Sequence, residues 1–181
     1  MLTDVQTKKL TRYFQVYDID DDGAIEASDF DRIIENVRIL HGEGGNGHSE
    51  LSGAYRELWL RISSAADVDK DGSVDLDEWL AYWQLALEND DRYQEEVLGL
   101  TNRLFTVFDL DHDDTIGRSE FADFYGVFGL SVELAETVFT SLDTNEDGAI
   151  TRNDMLEASG EFFRSDDVDS VGNVLYGPFG V

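Results

Sequence analysis

The chain has 181 residues, of which 41% are hydrophobic and 12% aromatic, so it can bury a substantial core as one domain or two packed halves. It carries 40 acidic against 13 basic residues, and the formal charge of −27 would repel nucleic acids and anionic lipid surfaces. The absence of cysteine excludes disulfide bonds, thiolate metal sites and cysteine nucleophiles.

The N-terminal part of the chain has an amphipathic pattern on each side of an acidic run. Residues 1–10 lack an apolar run after a basic region, so we expect no signal peptide and a cytoplasmic location. Leu10, Phe14 and Tyr17 recur at helical spacing before the acidic run that begins at Asp18, and a second apolar stripe follows this run. The pattern predicts a helix, an acidic loop and another helix.

A glycine-rich segment, residues 42–47, comes next. It matches G-x-G-x-x-G by letter, but no strand precedes it, so we expect a flexible linker rather than a dinucleotide site.

The three histidines, which have no serine or cysteine partner in the pattern, are His41, His48 and His112. We therefore expect no nucleophilic catalysis and no enzyme activity.

The rest of the chain repeats the helix, loop and helix pattern three times. Apolar residues at helical spacing flank acidic runs that begin at Asp67, Asp109 and Asp143. Ser131 is expected to cap the helix that precedes the last run. The most apolar window, residues 79–87, is well short of the roughly 20 residues that cross a bilayer, so no transmembrane segment is predicted.

The four acidic runs share one twelve-residue pattern. All have Asp at position one, Asp or Asn at position three, Asp at position five, Ile or Val at position eight and a carboxylate at position twelve. We call them the first loop (residues 18–29), second loop (67–78), third loop (109–120) and fourth loop (143–154). This is the EF-hand pattern, and its helical flanks distinguish it from an ordinary solvated acidic loop.

Calcium takes six to eight oxygen ligands at about 2.3–2.6 Å, and the alternation within each loop delivers them. Side chains one, three and five point inward, a backbone carbonyl serves at position seven, a side chain or water at nine, and a bidentate carboxylate at twelve. The expected ligands are Asp18, Asp20, Asp22, Ala24, Glu26, Asp29, Asp67, Asp69, Asp71, Ser73, Asp75, Glu78, Asp109, Asp111, Asp113, Thr115, Glu120, Asp143, Asn145, Asp147, Ala149 and Asp154.

The loops differ in the residue that closes them. The second loop has a full ligand set that ends in Glu78. The first and fourth loops end in Asp29 and Asp154, one methylene shorter, which makes bidentate closure harder and moves these sites toward six-coordinate magnesium. We expect three or four calcium ions, with magnesium also binding at the first and fourth loops.

The third loop departs from the pattern at two positions. Asp114 stands at position six, where a sharp turn with positive φ favours glycine, and the cost is about 1 kcal/mol. Gly117 at position nine offers no side chain, so water should fill that coordination place, while Glu120 keeps the bidentate closure.

The expected fold class is all-α, with four EF-hands in two pairs packed as a compact globule and short two-stranded β bridges between paired loops. The N-terminal pair is assigned to residues 1–90 and the C-terminal pair to residues 91–181, ending in a tail over residues 165–181. The residues at position eight should form the bridges, and the tryptophans are expected to belong to the core: Ile25, Val74, Ile116 and Ile150, with Trp59, Trp79 and Trp83.

Several features resemble the sarcoplasmic calcium-binding proteins, a group that includes calexcitin and calerythrin. These are the four loops, the long connection between the first two, the short connection between the last two, and the ending from Gly172 to Gly177. The resemblance covers nearly the whole chain and implies two hand pairs packed closely together, unlike the dumbbell of calmodulin. Members of the group often have one or two disabled loops, whereas this sequence keeps ligands in all four.

Coelenterazine-binding proteins and calcium-triggered photoproteins are similar in architecture and length. Photoproteins depend on His, Trp and Tyr groups around a bound luciferin. Here the histidines fall at the linker and in a metal loop, and the chain ends in Val181 rather than the photoprotein's proline, so luminescence is disfavoured.

Three functions are open from the sequence. The first is a soluble, monomeric calcium buffer or signal modulator. The second is a sensor whose hands open onto a partner protein, although only Met1 and Met155 are available for an adaptable groove. The third is a calcium-controlled carrier of an apolar small molecule such as a luciferin. Nucleic-acid and membrane partners are not expected.

Overall fold

The computed structural model describes residues 1–41 and 48–179. The helices are α1 (Asp4–Tyr17), α2 (Ala27–His41), α3 (His48–Ala66), α4 (Leu76–Glu88), α5 (Asp90–Tyr93), α6 (Leu100–Phe108), α7 (Arg118–Gly126), α8 (Val132–Leu142) and α9 (Arg152–Arg164). The strands are β1 (Ala24–Glu26), β2 (Ser73–Asp75), β3 (Thr115–Gly117) and β4 (Ala149–Thr151). A π-helical segment, Gln94–Gly99, continues α5 into α6, and a 3-10 turn, Val171–Val174, follows α9.

The predicted linker over residues 42–47 lies outside what the structure describes. Among the described helices, none combines the length and the apolar composition needed to cross a membrane.

Polar side chains cap the starts of several helices. Thr3 and Gln6 form a reciprocal cap on α1, because the Gln6 amide donates to Thr3 Oγ1 at 3.2 Å and the Thr3 amide to Gln6 Oε1 at 3.0 Å. Ser131 caps α8 as predicted, accepting from the Leu134 amide at 3.2 Å. These caps satisfy amides that have no partner inside the helix.

Two small antiparallel sheets join the loops in pairs. β1 pairs with β2 and places Ile25 opposite Val74, while β3 pairs with β4 and places Ile116 opposite Ile150. All four side chains are buried. The predicted β bridges, and with them the all-α fold of paired EF-hands, are confirmed.

Helix α1 lies at the centre of the core. The Tyr13 ring packs against Trp79 and Trp83 of α4, Phe163 of α9 and Tyr176 near the C-terminus, with ring centroids 5.3, 5.7, 5.4 and 4.3 Å away. The N-terminal helix therefore contacts elements from both ends of the chain, and the predicted compact packing of the two hand pairs is confirmed.

The tryptophans occupy the positions that their helical spacing predicts. Trp79 and Trp83 are buried, and the Trp79 indole donates to the Leu10 carbonyl at 3.0 Å. Trp59 is half-buried against the Phe30 ring, 5.3 Å away. All three thus belong to the core or its edge.

Lys9, on α1, is a fully buried cation that contacts the C-terminal end of α9. Its Nζ donates to the carbonyls of Glu161 at 2.9 Å and Ser165 at 2.7 Å, and to Asn173 Oδ1 at 3.0 Å. Burial lowers the pKa of Lys9 to about 8, opposed by the negative charges of Asp166 and Glu161. Because the last carbonyls of a helix carry partial negative charge, they bind this ammonium, and the contact connects α1 to the C-terminus of α9.

The Lys9→Met substitution should lower the free energy of unfolding by about 2 kcal/mol, because it leaves the Glu161 and Ser165 carbonyls and Asn173 Oδ1 without this donor, and an unsatisfied buried group costs about 1–3 kcal/mol. Lys8→Met, which removes an exposed lysine from the same helix, is the matched control. Chemical denaturation of the calcium-saturated protein measures both, and equal losses would contradict the role of Lys9.

The same pair of variants tests the lowered pKa. Between about pH 8 and the ordinary lysine pKa of 10.5, the unfolded chain holds a proton on Lys9 that the folded chain has released. Stability rises with pH wherever the unfolded state binds more protons. The difference in the free energy of unfolding between the wild type and Lys9→Met should therefore increase as the pH rises across this window.

Candidate metal centres

The first residue of each loop is fixed by backbone amides of the same loop. In the first loop, Asp18 Oδ1 accepts from the Asp22 amide at 3.1 Å and Asp18 Oδ2 from the Gly23 amide at 3.0 Å. Two loop amides bind the corresponding carboxylate in each of the other loops, which belongs to Asp67, Asp109 and Asp143. Each loop is thereby curled around its leading carboxylate.

The curl depends on left-handed backbone at two positions of every loop. At position six, φ is +93° for Gly23, +96° for Gly72 and +85° for Gly148, and Asp114 has φ 64°. Asp114 therefore adopts the conformation predicted for it. Position four is also left-handed, which was not predicted from the sequence because the residues there share no type: Asp21, Lys70, His112 and Glu146.

Carboxylate oxygens converge in three of the loops. In each, three acidic side chains have ligand atoms within 4.8 Å of one another, and these are Asp18, Asp20 and Asp22, then Asp67, Asp69 and Asp71, then Asp109, Asp111 and Glu120. Like charges at this spacing repel, and a divalent cation would relieve the repulsion. A donor set made only of oxygens fits a hard cation such as calcium.

The residue at position twelve ties the two ends of its loop together. In the first loop, Asp29 Oδ1 accepts from the Ile19 amide at 3.0 Å and Asp29 Oδ2 from the Glu26 amide at 2.8 Å. The longer Glu78 and Glu120 make the same two bridges in the second and third loops. Burial raises the pKa of Asp29, and the two amides counteract it. The shorter Asp29 thus spans the gap that Glu spans elsewhere.

The fourth loop closes differently. Asp154 Oδ2 accepts from the Thr151 amide at 2.9 Å and from the Thr151 hydroxyl at 2.6 Å. The amide at position two, on Thr144, donates to the Leu142 carbonyl at 2.9 Å rather than to the carboxylate. Asp154 therefore binds one end of its loop, and the described residues of this loop form no cluster of three converging acids.

Several of the other predicted ligands lie at the strands and helix starts that border the loops. The residues at position seven begin the four strands: Ala24, Ser73, Thr115 and Ala149. Asp75, at position nine of the second loop, also caps α4, since its Oδ1 accepts from the Glu78 amide at 2.8 Å. The Ser73 hydroxyl and amide both donate to Asp71 and lower its pKa, which keeps this carboxylate charged.

One residue near the first loop was not identified from the sequence. Arg32, on α2, places Nη2 3.2 Å from Asp20 Oδ2. The pair is largely exposed, and such pairs contribute about 0–1 kcal/mol. Arg32 lies three residues beyond the loop, and it faces the loop because α2 already begins at Ala27.

Four loops of this geometry, each between two helices and joined in pairs by a β bridge, define an EF-hand calcium-binding protein. The EF-hand domain pair family matches residues 7–84 and 100–160. The chain belongs to this family and is similar, within it, to the sarcoplasmic calcium-binding proteins, calexcitin and calerythrin, which is the resemblance predicted from the sequence.

Two relatives align over almost their whole length. Calerythrin from Saccharopolyspora erythraea is 27% identical over 95% of this chain and 100% of the relative. The sarcoplasmic calcium-binding protein beta chain from Penaeus sp. is 28% identical over 97% of this chain and 95% of the relative. A solved coelenterazine-binding protein from Renilla muelleri has the same fold, with a TM-score of 0.73 and 19% identity over 98% of this chain and 100% of that one.

The third loop provides a direct test of backbone strain. Asp114→Gly should raise the free energy of unfolding by about 1 kcal/mol, because a left-handed conformation costs a non-glycine residue roughly 1–3 kcal/mol. The Asp114 side chain is 91% exposed, so its removal leaves the packing of the core unchanged. Gly148→Asp, at the same position of the fourth loop, should have the opposite sign. Thermal unfolding of both variants measures these changes. A shift of the unfolding temperature in the same direction in both variants would contradict backbone strain at Asp114.

Proposed function

We propose that the chain is a calcium buffer or signal modulator whose first, second and third loops bind calcium and whose fourth loop binds it most weakly. The observation that carries the proposal is the convergence of three carboxylates in each of the first three loops. The proposed ligands are those predicted from the loop pattern. Four calcium ions would change the formal charge from −27 to −19, and the relief of repulsion would stabilise the folded chain.

The first and fourth loops are the proposed magnesium sites. Both close with aspartate, which favours one oxygen ligand over two and therefore six-coordination. The fourth loop also has neutral Asn145 at position three, whose amide donates to Asp147 Oδ2 at 2.9 Å. Its lower negative charge supports the weaker affinity for calcium.

Two features favour the buffer over the sensor. Adaptable target grooves are rich in methionine, but Met1 is 97% exposed at the end of the chain and Met155 is the one methionine in the apolar interior. The apolar cavity between the helices of the C-terminal pair measures about 20 Å³. A partner helix would need a far larger opening.

The size of this cavity argues against a carrier that holds its ligand in the apolar interior. The larger hollow, about 360 Å³, lies at the surface beside the exposed Asp169. A volume of about 20 Å³ is near the space that one water occupies, whereas small-molecule sites enclose roughly 300–1,000 Å³. The likeness to the coelenterazine-binding protein is a likeness of fold.

We further propose that the chain is a cytoplasmic monomer without catalytic activity, built from hand pairs over residues 1–90 and 91–181. The name of its sarcoplasmic relatives supports the location, and the relatives described above are calcium-binding proteins. Its charge of −27 supports the absence of nucleic-acid partners.

Calorimetric titration with calcium in millimolar magnesium tests the ion sites. The wild type should bind three or four ions, and Glu78→Gln should lose one because the second loop loses its bidentate ligand. Glu57→Gln, an exposed glutamate on α3, should keep the wild-type number. Fewer than two ions in the wild type, or no loss in Glu78→Gln, would overturn the assignment.

Lengthening the closing residue tests the magnesium proposal. Asp29→Glu and Asp154→Glu should each raise calcium affinity and weaken the competition by magnesium, since glutamate can offer both oxygens to a larger ion. Titrations with and without magnesium measure the competition. An unchanged magnesium effect in both variants would show that the closing residue does not select the ion.

A further inference from the structure

The last described segment of the chain folds back into the C-terminal hand pair. We call residues 171–177 the tail segment and give the name C-terminal groove to the apolar surface formed by Leu104, Phe105, Phe108, Phe121, Phe124 and Met155. Leu175 and Tyr176 of the tail segment complete the wall of the cavity in this groove and are 1% and 6% exposed.

Aromatic contacts hold the tail segment in place. The Tyr176 ring lies 4.9 Å from the Phe162 ring, 6.5 Å from Phe124 and 4.3 Å from Tyr13, measured between centroids. Burying a side chain of this size removes apolar area from water and so stabilises the docked position. The contacts reach α7, α9 and α1, so the tail segment joins both hand pairs.

Directed hydrogen bonds fix the backbone of the tail segment. The Tyr125 hydroxyl donates to the Leu175 carbonyl at 2.9 Å, and Arg12 Nε donates to the Tyr176 carbonyl at 2.9 Å. At the other end, the Gly172 amide donates to Glu161 Oε2 at 2.7 Å. None of these partners is a proposed calcium ligand, so the docking does not require an occupied loop.

Close packing at Gly172 makes the docking specific. A Cβ atom on this residue would lie 2.2 Å from the Ala158 carbonyl oxygen and 2.8 Å from the Ala158 Cα, both backbone atoms of α9. No side chain fits there unless the tail segment moves away from α9.

We propose that the tail segment is a built-in ligand of the C-terminal groove and keeps this groove closed to partner helices. The groove is a binding surface for a short segment with a Leu–Tyr pair, and the chain supplies that segment itself. When an internal ligand occupies a site, the apparent affinity for an external one falls in proportion to the fraction of molecules that are open. The inference goes beyond calcium binding and does not depend on how many ions bind.

The test uses full-length Gly172→Ala, with Gly53→Ala as the control, because nothing lies within 4 Å of a Cβ on Gly53. A labelled synthetic peptide of residues 168–179 is titrated into each calcium-saturated protein. Gly172→Ala should bind the peptide at least about tenfold more tightly than the wild type or Gly53→Ala do, and should also increase the fluorescence of a dye for apolar surfaces. Wild-type affinity and dye signal in a folded Gly172→Ala would overturn the proposal.

A milder variant decides the outcome if Gly172→Ala loses its helical circular dichroism. Tyr125→Phe keeps the ring and removes the hydroxyl that donates to Leu175, so peptide binding should increase by a smaller factor. No increase over the wild type would overturn the proposal. Calcium stoichiometry, measured on the same samples, separates a failure of this inference from a failure of the ion sites.

Discussion

Mutual repulsion among carboxylates is the constraint on which the rest of this structure depends. Three acidic groups within 4.8 Å of one another would open a loop of ordinary sequence. Here backbone amides bind the first carboxylate of each loop and, in three loops, the last carboxylate bridges both ends. The left-handed residues at positions four and six direct those amides inward. The loops are therefore shaped for a cation by their own main chain.

The sheets and the core then convert four local loops into one molecule. Ile25 with Val74, and Ile116 with Ile150, link the loops within each pair, so each loop is held in place by its neighbour. Helix α1 links the pairs, since Tyr13 contacts α4 and α9 and Lys9 holds the end of α9. These contacts between the two halves support the proposal of a buffer rather than a sensor.

The tail segment bears on the same question from the other side. The C-terminal groove contains the apolar residues with which an EF-hand pair can bind a partner, yet Leu175 and Tyr176 already fill it. The scarcity of methionine and the filled groove are independent observations, and both favour storage of calcium over recognition of a target. The difference between the fourth loop and the others supports the proposal that the sites differ in their affinity for calcium.

The sequence by itself determined the class of protein, the four loops and the Ser131 cap, because each depends on residues close together in the chain. The repeat of the loop pattern predicted the β bridges, although these join residues far apart in the chain. It identified Asp114 as a left-handed residue, and the structure agrees. It did not show that Asp29 reaches both ends of its loop while Asp154 reaches one, since both are aspartates and only their surroundings differ. Nor did it show that Lys9 is buried or that residues 171–177 fill a groove. Those outcomes join residues far apart in the chain, Lys9 to Asn173 over 164 positions and Tyr125 to Leu175 over 50, and only the packing of the folded chain decides them.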